Sequence, residues 1–126
     1  MRILIDTHIL IWHLEGNVSL FPEYRTLIAD TANQILVSMA SLWEIGIKTS
    51  VKKLSLSKPL ETIFDEIENS TSSILPIKPE HILRLSKLPF HHRDPFDRLI
   101  ISQALVEIVP VITSDNLFNE YGVELL

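Results

Sequence analysis

Arg2–Ile5 and Gln34–Val37 are each apolar after a single polar residue, without the alternation of a half-exposed strand, so both read as strands covered on two faces. Between such runs the apolar positions recur at helical spacing. The pattern predicts helices at His8–Glu15, Pro22–Ala32, Met39–Lys53, Leu60–Asn69, Glu80–Lys87 and Pro95–Ile108. It predicts further strands at Ser73–Ile77, Val109–Thr113 and Val123–Leu126, the last two separated by a short helix at Asn116–Tyr121. The clearest amphipathic segment places Leu60, Ile63, Phe64 and Ile67 on one face and Glu61, Asp65, Glu66 and Glu68 on a solvated one. Strands alternating with helices define an α/β fold with a short central parallel sheet flanked by helices on both faces. No linker, low-complexity tract or repeat divides the chain, so residues 1–126 read as one domain.

In such a fold ligands collect at the carboxyl ends of the strands, which directs attention to the acids found there. Asp6 follows Ile3-Leu4-Ile5, and Asp115 follows Val111-Ile112 through Thr113-Ser114. Either carboxylate also suits a helix N-cap. Asp94-Pro95-Phe96-Asp97-Arg98 opens the penultimate helix, with Asp94 suited to the cap, Pro95 to the first turn and Asp97 to the positive end of the helix dipole. Capping needs only one of these charged groups. Glu44 lies in Met39–Ile47, where only Ser41 and Glu44 carry polar side chains. Three readings fit it: a capping box with Ser41, an i,i+4 pair with Lys48, or a carboxylate turned into a polar cleft. Asp6, Glu44, Asp97 and Asp115 come from separate parts of the chain, yet all fall at or near predicted strand-to-helix junctions or helix starts. Carboxylates gathered there repel one another unless a cation joins them.

Composition narrows the chemistry. The 126 residues include no cysteine, which excludes a disulfide framework, a zinc ribbon and a thiolate nucleophile, and leaves any metal to oxygen or imidazole ligands, with Mg²⁺ or Mn²⁺ the leading cofactor. There is no G-x-G-x-x-G, no P-loop, no G-x-S-x-G and no H-E-x-x-H. His91-His92 reads as solvated loop, and Trp12 and Trp43 read as core. The net charge of −5 argues against a simple cationic nucleic-acid binder. Setting the four acids aside, however, leaves twelve acidic against eleven basic residues, and Lys48–Lys58 and His81–Arg93 are acid-free basic stretches. Met1–Ile5 reaches Asp6 too soon for the apolar region of a signal peptide. Leu99–Ile112, the most apolar stretch, is too short and too interrupted to span a bilayer, so a cytoplasmic protein is expected.

Four segments together resemble the PIN-domain ribonucleases, and more closely the VapC-type toxins of type II toxin–antitoxin pairs. They are Leu4–Trp12, Ser38–Lys48, His92–Ala104, and Ile112–Asp115 with Phe118 and Tyr121-Gly122-Val123. The resemblance spans nearly the whole chain. It implies a PIN-like sheet and an acidic pocket for one or two Mg²⁺ or Mn²⁺ ions, with Asp6, Glu44 and Asp97 matching the three central acids and Asp115 the more variable fourth. It implies metal-assisted hydrolysis of RNA phosphodiesters, leaving 5′-phosphate and 3′-hydroxyl ends. A cognate antitoxin that blocks the pocket, and a toxin homodimer, are implied as well. Thr7, Asp94, Thr113 and Ser114 are then candidates for orienting the carboxylates, and Arg98, Lys48 and Arg93 for gripping phosphates. The competing reading is a non-catalytic domain that recognises a basic partner segment through the same acids. A receiver-like signalling domain fits poorly, because Ile77-Lys78 is a poor match for the lysine it requires at a strand end.

Overall fold

The apolar runs pair side by side in parallel, as a computed structural model describing all 126 residues shows. The strands β1 (Arg2–Ile5), β2 (Gln34–Ser38), β3 (Ser73–Leu75) and β4 (Val111–Ile112) form one sheet in the order β3-β2-β1-β4. The helices are α1 (Thr7–Glu15), α2 (Pro22–Ala29), α3 (Met39–Ser50), α4 (Leu60–Asn69), α5 (Pro79–Leu85) and α6 (Pro95–Glu107), followed by a 3₁₀ turn at Asn116–Tyr121. Strand geometry sends neighbouring side chains to opposite faces. Ile3 and Ile5 therefore enter a core with Ile35, Val37, Ile9 of α1, Ile45 of α3 and Ile63 of α4. Leu4 enters the opposite core with Leu36, Val111 and the Leu99–Ile101 face of α6. Each such buried aliphatic chain contributes about 2 kcal/mol of transfer free energy. This two-sided cover is the α/β architecture that the patterning predicts.

The element ends differ from expectation for local reasons. α2 stops at Ala29 because the Asp30 carboxylate accepts the Ala32 N–H and begins a turn. α3 stops at Ser50, where the Thr49 and Ser50 hydroxyls bond back to carbonyls of the preceding turn and Lys52 adopts a left-handed conformation. β3 ends before Pro76, which has no N–H to donate. The strand expected at Val123–Leu126 reduces to one parallel bridge between Leu125 and Val111. Trp43, expected in the core, is 57% exposed and packs edge-on against Phe96 with ring centroids 5.0 Å apart. Trp12 is partly buried against the α1 side of the sheet. No helix is long and apolar enough to cross a membrane.

One buried polar contact fastens α5 to α6. His81 is fully buried; its Nδ1 accepts the Lys78 N–H at 3.0 Å, so Nε2 carries the proton and donates to Glu107 at 2.9 Å. The Ser102 hydroxyl donates to the His81 carbonyl. The hydrogen bond from His81 holds the Glu107 carboxyl below its ordinary value of 4.5. A carboxyl with a depressed folded pKa contributes stability that is complete above its unfolded pKa and is lost as pH falls through the folded one. Glu107→Gln is therefore expected to be less stable than the wild type at pH 7 and to converge with it in acid. Denaturant unfolding measured across that range tests this, and two curves that stay parallel at every pH would contradict it.

Candidate metal centre

Sheet register brings the first two acids together. Ile5 lies opposite Val37 on one side and Ile112 on the other, so Asp6, Ser38 and Thr113 leave the sheet at a common edge. Asp6 caps α1, accepting the Ile9 N–H on Oδ1 at 2.9 Å, while its Oδ2 accepts the Thr113 hydroxyl. It is almost fully buried, and desolvation raises its pKa against the lowering effect of those two hydrogen bonds. Asp115 caps the 3₁₀ turn through Leu117, and its own N–H donates to Thr113. Thr113 thus links the two strand-end acids, Asp6 through its hydroxyl proton and Asp115 through the backbone N–H it accepts.

α3 and α6 bring the other two. Ser38 caps α3 through the Ala40 N–H, and its hydroxyl pairs with Gln103 of α6. Glu44, one and a half turns along α3, is 3% exposed. Its Oε2 accepts from Lys48, which confirms the i,i+4 pair and raises the lysine's pKa; its Oε1 is buried with no hydrogen-bond partner. Asp94 caps α6 by accepting the N–H groups of Phe96 and Asp97 on one oxygen, which leaves the Asp97 side chain to point into the acidic cluster. Asp97 is pushed up to about 7, first by desolvation and then by the charges of Asp94, Asp6 and Glu44. All four predicted acids are therefore neighbours, and two of them, Asp6 and Asp115, are also helix caps.

Several expected supporting roles fall differently. Thr7 bonds to Ser41 at 2.8 Å, joining α1 to α3, and touches none of the acids. Ser114 is exposed and makes no side-chain hydrogen bond; it lines a cleft of about 550 Å³ with Trp12, Phe21, Tyr24 and Asn116. Arg98 is not available to a phosphate. It is 6% exposed, and its guanidinium is spent on the carbonyls of Leu85, Leu88, Pro89 and His92, the last two at 2.8 and 3.3 Å. Arg93 is exposed between His92 and Asp94 in the chain, and Lys48 is held by Glu44.

His92 is the residue that sequence reasoning missed. It is buried rather than solvated, with Nε2 2.7 Å from Asp115 Oδ2 and 3.1 Å from Asp97 Oδ2. The potential ligand atoms of His92, Asp97 and Asp115 all lie within 4.8 Å of one another. The sequence signal was faint: a histidine two residues before a capping aspartate, in a loop whose burial depends on distant groups.

The donor set fits a hard divalent cation, because it is made of carboxylate oxygens, one of them buried without a partner. Asp6, Glu44, Asp97 and Asp115 would hold it. Without a cation, a carboxyl whose pKa is raised from 3.8 to about 7 makes the fold less stable as pH rises between those values. A divalent cation held by these carboxylates would offset that loss. The stabilisation of the melting temperature by either ion is expected to grow between pH 6 and pH 8 and to be largely absent in Asp97→Asn. An ion effect independent of pH, or undiminished in that variant, would contradict the assignment.

The family model of the PIN domain matches residues 3–124. No curated protein matches the chain significantly. Solved structures do. VapBC2 from Rickettsia felis, bound to a DNA fragment from its promoter, is similar at 20% identity and a TM-score of 0.74, covering 100% of this chain and 98% of that one. FitAcB from Neisseria gonorrhoeae is similar at 19% identity and a TM-score of 0.70, covering 98% and 96%. The PIN domain endonuclease Utp24 is similar at 15% identity and a TM-score of 0.54, covering 99% and 83%. At these identities the likeness is one of fold.

Proposed function

Since the chain belongs to the PIN domain family, we propose that it is a Mg²⁺- or Mn²⁺-dependent endoribonuclease, the VapC-type toxin of a type II toxin–antitoxin pair. The observation that carries this reading is the convergence of Asp6, Glu44 and Asp97 on one sheet edge, with a Glu44 oxygen buried and unpartnered. A non-catalytic acidic surface has no need to bury that oxygen. When bound, the ion supplies Lewis-acid stabilisation of a phosphodiester and a water of lowered pKa.

The chain's own residues do the rest. Thr113 and the Ile9 N–H fix the rotation of the Asp6 carboxylate, and the Asp94 cap fixes the start of the helix that carries Asp97. Exposed Arg93, which follows His92 in the chain, and the Lys48 ammonium, paired with Glu44, are assigned to gripping phosphates. A cognate antitoxin, a homodimer and a cytoplasmic location belong to the same proposal. The VapBC and FitAcB structures support a protein partner by their likeness of fold. So does the stripe of exposed Met39, Trp43 and Ile47, spaced four residues apart along the helix that carries Glu44.

Purified protein is expected to cleave RNA with Mg²⁺ or Mn²⁺, to stop on addition of EDTA, and to leave 5′-phosphate ends. Asp6→Asn and Asp97→Asn are each expected to lower the rate by roughly a hundredfold or more while circular dichroism shows an intact fold. Cleavage retained by both folded variants would overturn the assignment.

A further inference from the structure

We infer that His92 is a positioning residue of the metal centre, whose ring N–H donates to Asp115 Oδ2 and faces Asp97 Oδ2 at 3.1 Å, and so holds both carboxylates in place for the cation. The inference rests on the metal-dependent reading above and adds to it a residue outside the acidic set.

The tautomer follows from the loop. The backbone N–H of Asp94 donates to His92 Nδ1 at 3.1 Å, so that nitrogen offers its lone pair and the proton of the neutral ring resides on Nε2. Nε2 therefore has no lone pair for a metal. It is a donor, placed 2.7 Å from one carboxylate oxygen and 3.1 Å from the other. Asp115 gives its second oxygen to the Leu117 N–H, and the Asp97 side chain makes no hydrogen bond other than this approach of the histidine. Without His92, nothing restrains the rotation of the Asp97 carboxylate.

The histidine is itself held by a device with no other evident purpose. Its backbone N–H donates to the Tyr121 hydroxyl at 2.7 Å, and that hydroxyl donates to the Pro89 carbonyl at 2.8 Å. Buried Arg98 gathers the carbonyls from Leu85 to His92, which fixes the loop entering the site, and its guanidinium stacks 4.1 Å over Phe90. Arg98 and Tyr121 thus hold a loop, the loop holds His92, and His92 aligns two ligands. Groups that orient metal-binding carboxylates typically matter tenfold to a hundredfold in metal affinity.

Two amides separate positioning from mere loop support, because each replaces a different half of the ring. Asparagine presents an acceptor near the Nδ1 position and so keeps the bond to the Asp94 N–H, but it cannot reach the acids. Glutamine presents an N–H near the Nε2 position and gives up the loop bond. Mn²⁺ binding by the full chain, read from the loss of free-ion electron paramagnetic resonance signal, is expected to weaken about tenfold or more in His92→Asn. It is expected to stay within about threefold of wild type in His92→Gln. Wild-type affinity in the asparagine variant, or equal weakening in both, overturns the inference. Asp97→Asn serves as the reference: unchanged Mn²⁺ binding there would defeat the metal-centre reading itself, whereas its loss alongside an unaffected His92→Asn would defeat only the role of His92.

Discussion

Crowded negative charge at one sheet edge is the constraint around which the molecule is arranged. Asp97 and Asp115 have ligand atoms within 4.8 Å of each other. Two ionised carboxylates at that separation repel by about 3 kcal/mol at an effective dielectric of about 20. The raised pKa of Asp97 comes first from burial and then from the charges of Asp94, Asp6 and Glu44. A fold that only needed stability would not collect such groups. The chain tolerates them through Lys48 on Glu44, the Thr113 hydroxyl on Asp6 and the His92 N–H between Asp97 and Asp115. Each of these satisfies part of a carboxylate, and the Glu44 Oε1 is left buried with no protein partner.

Capping is how the backbone delivers acids to that edge. An N-cap residue must point its oxygen back along the helix axis, and in this parallel sheet the helices start where the strands end. Asp6, Asp94 and Asp115 each cap a helix with one oxygen, and Asp6 and Asp115 keep the second oxygen facing the cluster. Liganding and capping are therefore one arrangement with two consequences. Glu44 and Asp97 are the exceptions: Asp97 comes from the first turn of α6 behind the Asp94 cap, and Glu44 from within α3, where it carries the buried oxygen that no protein group satisfies.

What was legible in the sequence follows the range of the forces involved. Ile3-Leu4-Ile5 and Leu36-Val37 announce buried strands because burial on both faces acts residue by residue, and the four acids announce themselves because junction positions can be read locally. The ends of α2 and α3 were missed because Asp30, Thr49 and Ser50 compete for backbone bonds within a few residues, and an apolar pattern does not record that competition. His92 and Arg98 were misread for the opposite reason. Their surroundings come from Tyr121 and Asp115, more than twenty residues away, so His91-His92 read as solvated loop and Arg98 as a grip for phosphate, whereas His92 and Arg98 are buried.

The segment Asp94–Arg98 shows how several small mechanical roles make a recognisable motif. Asp94 caps the helix and sets the tautomer of His92; Pro95 takes the first helical position, where no N–H is needed. Phe96 turns outward and packs on Trp43 of α3, beside the turn that carries Glu44, while Asp97 turns inward. Arg98 then reaches back beneath the loop. Replacing it by lysine would keep the charge and lose the fork that meets several carbonyls at once. The arginine thus serves the site from below as the organiser of the loop that supplies His92, and the positive charge offered to a substrate must come from elsewhere on the rim.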